Sequence, residues 1–193
     1  MRRIKLYVTT LFFISIHLYS QIREKNAIEL TPKIGISAYK YYVSGNPSNS
    51  LHSINFGINA DYFLNESWSL KTGLFYQKMG GKTGESIFNV EYLNLPINAN
   101  WHFGSTRKWN LNFGLTPSFK MNHSENQNIL GAKIKNFQNG INIGIGYKFE
   151  ITKRIGILLD YQFFSGVTNI DEDEIYDLKN KGGNLNIGTV LKL

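Results

Sequence analysis

Apolar and polar residues alternate with period two along most of the chain, in segments of about ten to thirteen residues. The clearest covers 141–151. Ile141, Ile143, Ile145, Tyr147, Phe149 and Ile151 share one face, and Asn142, Gly144, Gly146, Lys148 and Glu150 share the other. In a chain that is 42% hydrophobic, so regular a run arises by chance about once in a few thousand windows. Seven further segments follow the same rule, at 30–42, 52–64, 68–79, 91–103, 109–121, 155–164 and 184–193. This pattern predicts antiparallel strands with one apolar face. It leaves open whether that face lines a soluble core or meets lipid.

Three features decide for lipid. The segments are about twice as long as soluble strands, which average about five or six residues, and match the nine to eleven or so that a tilted membrane-crossing strand needs. The links alternate: 43–51, 80–90, 122–136 and 165–183 are long, whereas 64–67, 104–108 and 152–154 are short. Sorting by length on two sides is the mark of an outer-membrane barrel. Trp68, Trp101 and Trp109 lie beside short turns with Tyr62, Phe103 and Phe149, while Tyr42, Tyr76, Phe119 and Phe163 lie nearer the long links. These make two aromatic girdles, as at a lipid–water boundary. The polar face carries Gly, Asn, Ser, Lys, Asp and Glu, which a soluble core cannot bury without partners. The lumen of an eight-stranded barrel is just wide enough to be filled by side chains. Lys33, Lys71, Lys120 and Lys148 are expected to pair there with Asp61, Glu150 and Asp160, giving a plugged barrel.

Composition narrows the function. The 193 residues contain no cysteine, which excludes disulfides, thiolate metal sites and a cysteine nucleophile. The mean hydropathy of −0.24 and the lack of a long apolar run in the body exclude a helical polytopic membrane protein. Arg2, Arg3 and Lys5, an apolar stretch over 6–18, and Tyr19-Ser20-Gln21 have the layout of a secretory signal peptide. Residues 1–20 are therefore read as signal, cleaved near Ser20/Gln21, and 21–193 as the barrel domain, with 21–29 a periplasmic lead. Cleavage removes three basic groups and no acidic ones, lowering the net charge from +7 to +4. An exported chain with no basic stripe is not expected to bind nucleic acid.

At this point the residues resemble a known family. The stretch Glu91-Tyr92-Leu93-Asn94-Leu95-Pro96-Ile97 is similar to the Tyr-Leu-x-Ile/Leu-Pro strand of the PorT-like outer-membrane β-barrel proteins. Gly140-Ile141-Asn142-Ile143-Gly144-Ile145-Gly146-Tyr147-Lys148-Phe149 resembles their glycine-rich sixth strand, and Lys153-Arg154, Asp160-Tyr161-Gln162 and Gly166-Val167-Thr168-Asn169-Ile170 continue the likeness, which covers roughly 28–193. The resemblance implies an outer-membrane location and a role accessory to protein secretion. Membrane barrels usually end in an aromatic residue read by the insertion machinery. This sequence has Leu193 there, which implies less efficient insertion.

Candidate chemistry is sparse. His52-Ser53 and His123-Ser124 lie near the long links, where a lipid-modifying acyltransferase or deacylase places a His/Ser pair. Neighbours on a strand point to opposite faces, so His52 is not expected to serve Ser53. Asp171-Glu172-Asp173-Glu174 and Asp177 are dense enough to attract a hard cation but lack the spacing of a calcium loop. His102 is expected in the lumen as a hydrogen-bonding residue. Pro96 inside a strand predicts a bulge or an unpaired ladder position. No catalytic, cofactor-binding or metal-ligating residue is assigned.

The sequence thus predicts an all-β fold, an eight-stranded antiparallel up-and-down transmembrane β-barrel of a Gram-negative outer membrane, with periplasmic termini and four surface loops. Its expected partners are outer-membrane lipid and lipopolysaccharide, the barrel-insertion machinery, and a protein met through the loops. The expected role is non-enzymatic: structural, surface-interaction or secretion-accessory. The alternatives are a lipid-modifying hydrolase or acyltransferase, a soluble periplasmic lipocalin-like carrier and, last, a small channel.

Overall fold

The computed structural model describes residues 24–125 and 133–193, so the expected signal peptide lies outside the described residues. Eight strands follow one another round a ring. They are β1 (Ile28–Val43), β2 (Asn49–Phe63), β3 (Trp68–Thr83), β4 (in two halves, Ser86–Asn94 and Ile97–Phe103), β5 (Trp109–Glu125), β6 (Phe137–Glu150), β7 (Ile155–Gly166) and β8 (Leu178–Lys192). Each pairs antiparallel with the next, and β8 closes onto β1 from Glu29↔Lys192 to Val43↔Leu178. A two-residue ladder, Asn46–Pro47, folds back on β1 after a turn in which Ser44 and Gly45 both take positive φ (48° and 90°). The amide of Leu193 reaches the carbonyl of Ile28 at 3.0 Å, so both described ends lie at the short-turn end.

The apolar face is the outer one. Ile34, Ile36, Ile54, Phe56, Ile58, Phe113, Leu115, Leu185 and Ile187 are between 42% and 65% exposed, while Asn55, Asn59, Lys71, Asn98, Asn112, Gln138 and Asp160 are buried. A band of this extent is far beyond what a soluble monomer exposes and is the lipid contact of a membrane barrel. The soluble-carrier reading needs the reverse arrangement. At the short-turn end the rings form a continuous belt. Successive centroids are 6.2 Å apart for Trp68–Trp101, 4.9 Å for Trp101–Phe103, 6.3 Å for Phe103–Trp109, 4.8 Å for Trp109–Tyr147 and 4.7 Å for Tyr147–Phe149. Phe56–Tyr76 and Phe119–Phe137, at 5.1 and 5.5 Å, mark the opposite girdle. The short turns are held by side chains: Asn65 Oδ1 accepts from the amides of Ser67 and Trp68, and Thr152 Oγ1 from those of Arg154 and Ile155.

At the loop end the strands outrun the predicted segments. The expected link 80–90 is a hairpin in which Thr83 pairs with Ser86 and Gly84 takes a φ of 59°. The links expected over 43–51 and 165–183 shrink to 44–48 and 167–177, and β1 begins at Ile28, inside the expected lead. The cause is an inversion of polarity. Above the girdle the inward positions become apolar (Tyr39, Tyr41, Met79, Phe88, Val90, Tyr92, Leu178), and Lys40, Lys78 and Glu91 lie on the opposite parity. On β1, β3, β4 and β8 the chain thus passes from a membrane barrel into a short extension with an apolar interior.

Pro96 interrupts β4 without shifting it. Asn94↔Phe75 and Ile97↔Thr72 stay in step, and so do Asn94↔Ser118 and Ile97↔Leu115. Of the two readings for Pro96, the unpaired ladder position holds; the bulge on this strand pair lies opposite Glu91 and Tyr92, where β5 carries an extra residue between Lys120 and Asn122. Gly114 faces the lumen, and a Cβ there would meet the backbone of the neighbouring strand, Ile97 O at 2.1 Å and Asn98 Cα at 2.7 Å. Gly114→Val is expected to cost about 1–3 kcal/mol through overpacking, read as a lower urea midpoint of the barrel in vesicles.

Candidate functional site: the filled lumen and its loop cap

The inward side chains form three layers. Nearest the short turns, Lys148 Nζ donates to Glu29 Oε1 at 2.7 Å and lies 4.0 Å from Glu150, which also accepts from Lys192 at 3.1 Å. Beside it Ser69 Oγ donates to Asp61 Oδ1 at 2.8 Å and meets His102 Nε2 at 2.9 Å, and Asn100 Nδ2 donates to the same Asp61 oxygen at 2.8 Å. Phe63 covers the His102 ring at 4.8 Å.

The middle layer is built on Lys33 Nζ and Asp160 Oδ2, 2.7 Å apart and both buried. Asp160 also accepts from Asn186 at 2.9 Å and Gln162 at 3.0 Å, and Asn55 donates to Asn186 at 2.7 Å. Asn98 donates to Asn112 at 3.0 Å, and Gln77 to Asn184 at 2.8 Å. A cavity of about 60 Å³ remains, lined by Lys33, Lys71, Asn55, Asn59, Asn98 and Asn112 among others. That is room for a few waters, and the polar lining suits them.

The third layer is the apolar cap. Tyr41 meets Phe88 edge-on at 5.3 Å, and Ile134 and Ile170 descend from the last two loops to join the cluster. Ile134 bridges to Asp171, Lys135 N donates to Ile170 O at 2.9 Å, and Glu172 N donates to Lys133 O at 2.7 Å. Lys120 Nζ donates to the carbonyl of Ile134. Burying the two isoleucines stabilises the closed cap by about 1.5–3 kcal/mol each.

Some expected pairings hold and others do not. Lys33 takes Asp160, and Lys148 approaches Glu150 but binds Glu29 more closely. Asp61 accepts from Ser69 and Asn100 rather than a lysine, and Lys120 reaches a backbone carbonyl. Glu29 was hidden because the alternation begins only at about residue 30.

The His/Ser pairs do not assemble. His52 is exposed on the outer wall, while Ser53 Oγ meets Ser37 Oγ at 2.9 Å and donates to Lys78 O at 3.2 Å. Ser124 Oγ accepts from Asn89, and His123 packs on Phe88 at 5.2 Å with no partner on Nε2. Burial holds the His123 ring below its ordinary pKa, with Glu125 opposing and Lys120 reinforcing. The Asp61, Ser69 and His102 cluster contains the residue types of a hydrolytic triad in the wrong order. In a triad the acid orients the base, which touches the serine. Here the serine stands between acid and base. The shared inward parity of these residues near one turn was the available signal for the cluster.

The acidic loop is spent on its own structure. Asp171 is buried and accepts from the amides of Tyr176 (2.9 Å) and Asp173 (3.3 Å). Glu174 pairs with Lys135 at 2.8 Å and Asp177 with Lys179 at 2.8 Å. Among the described residues no three His, Asp or Glu side chains converge on one point.

Residues 19–172 match the family model described as outer membrane protein beta-barrel domain. The chain belongs to that family. Solved members of the same architecture agree with the ring of eight strands. OprG from Pseudomonas aeruginosa superposes with a TM-score of 0.58 at 9% identity, over 88% of this chain and 97% of that one. The outer membrane protein AlkL gives 0.57 at 8% identity, over 90% and 93%. Neisserial surface protein A gives 0.53 at 13% identity, over 85% and 97%. At such identities the likeness is one of fold. Comparison with curated proteins finds no match. The chain is an outer-membrane barrel, and its apolar belt meets the lipid.

With both ends of the lumen filled, the barrel is expected to show no steady conductance in a planar bilayer. Deleting 171–176 is expected to leave it closed, because the Lys148–Glu29 layer still blocks the lower end. Stable unit steps in the deletion variant would contradict this.

Proposed function

We propose that this outer-membrane barrel is non-enzymatic and holds a preformed surface loop for a protein partner. The observation that carries this reading is the build of loop 167–177. Asn169 Oδ1 accepts from the amides of Asp171 and Leu178, Asp171 ties down Tyr176, and Ile170 is seated in the barrel mouth. On that anchored frame Ile175 and Tyr176 stand 72% and 37% exposed, beside Glu172, Asp173, Glu174 and Asp177. An exposed apolar pair on a stiff loop loses little entropy on binding. The acidic surround favours a partner with basic residues around an apolar pocket and disfavours polyanions.

A photo-crosslinking residue placed at 175 in cells is expected to yield one discrete protein adduct. The adduct should weaken in Tyr176→Ala and be absent when the crosslinker is moved to the exposed position 46. Equal adducts at 175 and 46, or none at 175, would sink the reading. A narrower second reading makes the chain a PorT-like secretion accessory. It rests on the resemblance of 91–97 and 140–149, and it requires the adduct to be a component of a secretion apparatus. Export by a signal peptide cleaved near Ser20/Gln21 and folding by the insertion machinery complete the proposal.

A further inference from the structure

We propose a binding site for a phosphorylated lipid on the outer wall of the barrel, at the seam where β8 closes onto β1. Lys40 and Lys181 are direct cross-strand partners there. Both lie on the outward parity, above Ala38 and Ile36 on β1 and Gly183 and Leu185 on β8. Neither has a carboxylate partner among the described residues, whereas Lys78 and Lys179 nearby are engaged by Glu91 and Asp177. Like charges directly opposite on neighbouring strands repel. An anion bridging the two ammonium groups turns that repulsion into attraction. The Lys181 ammonium is already steered, lying 4.7 Å from the centroid of the Tyr42 ring.

The wall beneath this pair is indented. One outward row below, Ala38 faces Gly183, and His52 pairs with Ala38 from the other side. With Ala38 at its floor and the Tyr161 hydroxyl lying across Gly183, the wall carries an open surface trough of about 570 Å³ flanked by Ile36, Ile54, Tyr161 and Leu185. A second groove of about 540 Å³ lies further down the same strands, lined by Ile34, Phe56, Ile157 and Ile187 among others. From Lys40 to Ile34 the strand rises roughly 20 Å at about 3.3 Å per residue. Cations at the headgroup level with an apolar trough running below them fit a lipid whose phosphate lies between Lys40 and Lys181 and whose acyl chain follows the seam. A free phosphate uses only the lysines, and a neutral lipid only the trough. This site is separate from the loop of the proposed function and stands or falls independently of it.

The test uses the full-length barrel in phosphatidylcholine nanodiscs doped with lipid A, with retained lipid counted by native mass spectrometry. The unaltered protein is expected to retain lipid A. K40E/K181E is expected to lower retention roughly tenfold or more, since each interfacial lysine contributes a several-fold preference for anionic lipid. Ala38→Phe, which fills the groove and keeps both lysines, is expected to lower retention severalfold. K40Q/K181Q supplies the same readout should K40E/K181E fail to give the folded, heat-modifiable band. Unchanged retention in the lysine variants would overturn the proposal. So would retention lost in the lysine variants but unchanged in Ala38→Phe, which would mean an anion site without a lipid trough, or equal retention of dephosphorylated lipid A, which would mean a trough without a headgroup site.

Discussion

Asp160→Asn is expected to destabilise the folded barrel by about 3–5 kcal/mol, the cost of breaking a buried ion pair by removing one partner. Among the described residues the carboxylate is the only acid bonded to Lys33, and it also receives Asn186 and Gln162. Lys71 lies in the same cavity wall. Once Asp160 is neutral, Lys33 and Lys71 share this space with Asp61, the cross-strand partner of Lys71, as the remaining carboxylate near them and with nothing bonded to Lys33 in its place. The opposite deletion is gentler. Lys33→Met leaves Asp160 with Lys71 nearby and with its two amide donors, so its cost is expected to be less than half as large. Urea unfolding of both variants in vesicles, compared at constant m-value, measures the asymmetry. Equal losses would mean that Lys71 does not act as the reserve counterion.

Ile143→Arg is expected to cost about 2–4 kcal/mol, and Ile155→Arg about 0–1 kcal/mol. Both isoleucines are outward and exposed. Ile143 stands mid-strand, paired with Phe113 and Phe163. Ile155 follows the Arg154 turn, where a guanidinium reaches the headgroups. A soluble surface would accept arginine at either position, and a protein core would reject it at both. The depth gradient is particular to lipid. Vesicle refolding yields and urea midpoints for the two variants read it directly.

Most of the fold was legible because lipid and a polar lumen impose the cleanest period-two code that a strand can carry. Ile141 to Glu150 alternates without a fault, and its faces are placed by burial as the pattern required. The code failed where the environment changed. Tyr39, Met79, Val90 and Tyr92 are inward and apolar because that part of the barrel stands above the belt. Outward Lys40, Lys78 and Glu91 lie at the ends of the predicted segments 30–42, 68–79 and 91–103 and break the apolar-outside code there, so the pattern gives no sign that the strands run on. For the same reason a hairpin at Gly84 was read as a long loop.

The candidate sites were less legible. That Ser53 and His52 face apart followed from strand geometry alone. That Asp171 is buried under its own loop did not, because the charge density of 171–177 says nothing of which carboxylate turns inward to hold the backbone. The pairing of Lys40 with Lys181 needed the closing register, since the two lie at opposite ends of the chain and only the ring brings them together.

The central claim is that the apolar face looks outward to lipid and the polar face is sealed inside. The chain has no cysteine, so each introduced one is unique. Single cysteines placed in turn at 141 through 149, spin-labelled in vesicles, measure this with a lipid-soluble relaxer (oxygen) and a water-soluble one. The account predicts a strict two-residue period, with oxygen relaxing labels at 141, 143, 145, 147 and 149 and neither agent reaching 142, 144, 146 and 148. Labels at the odd positions shielded from oxygen, or relaxed by the water-soluble agent, would contradict it.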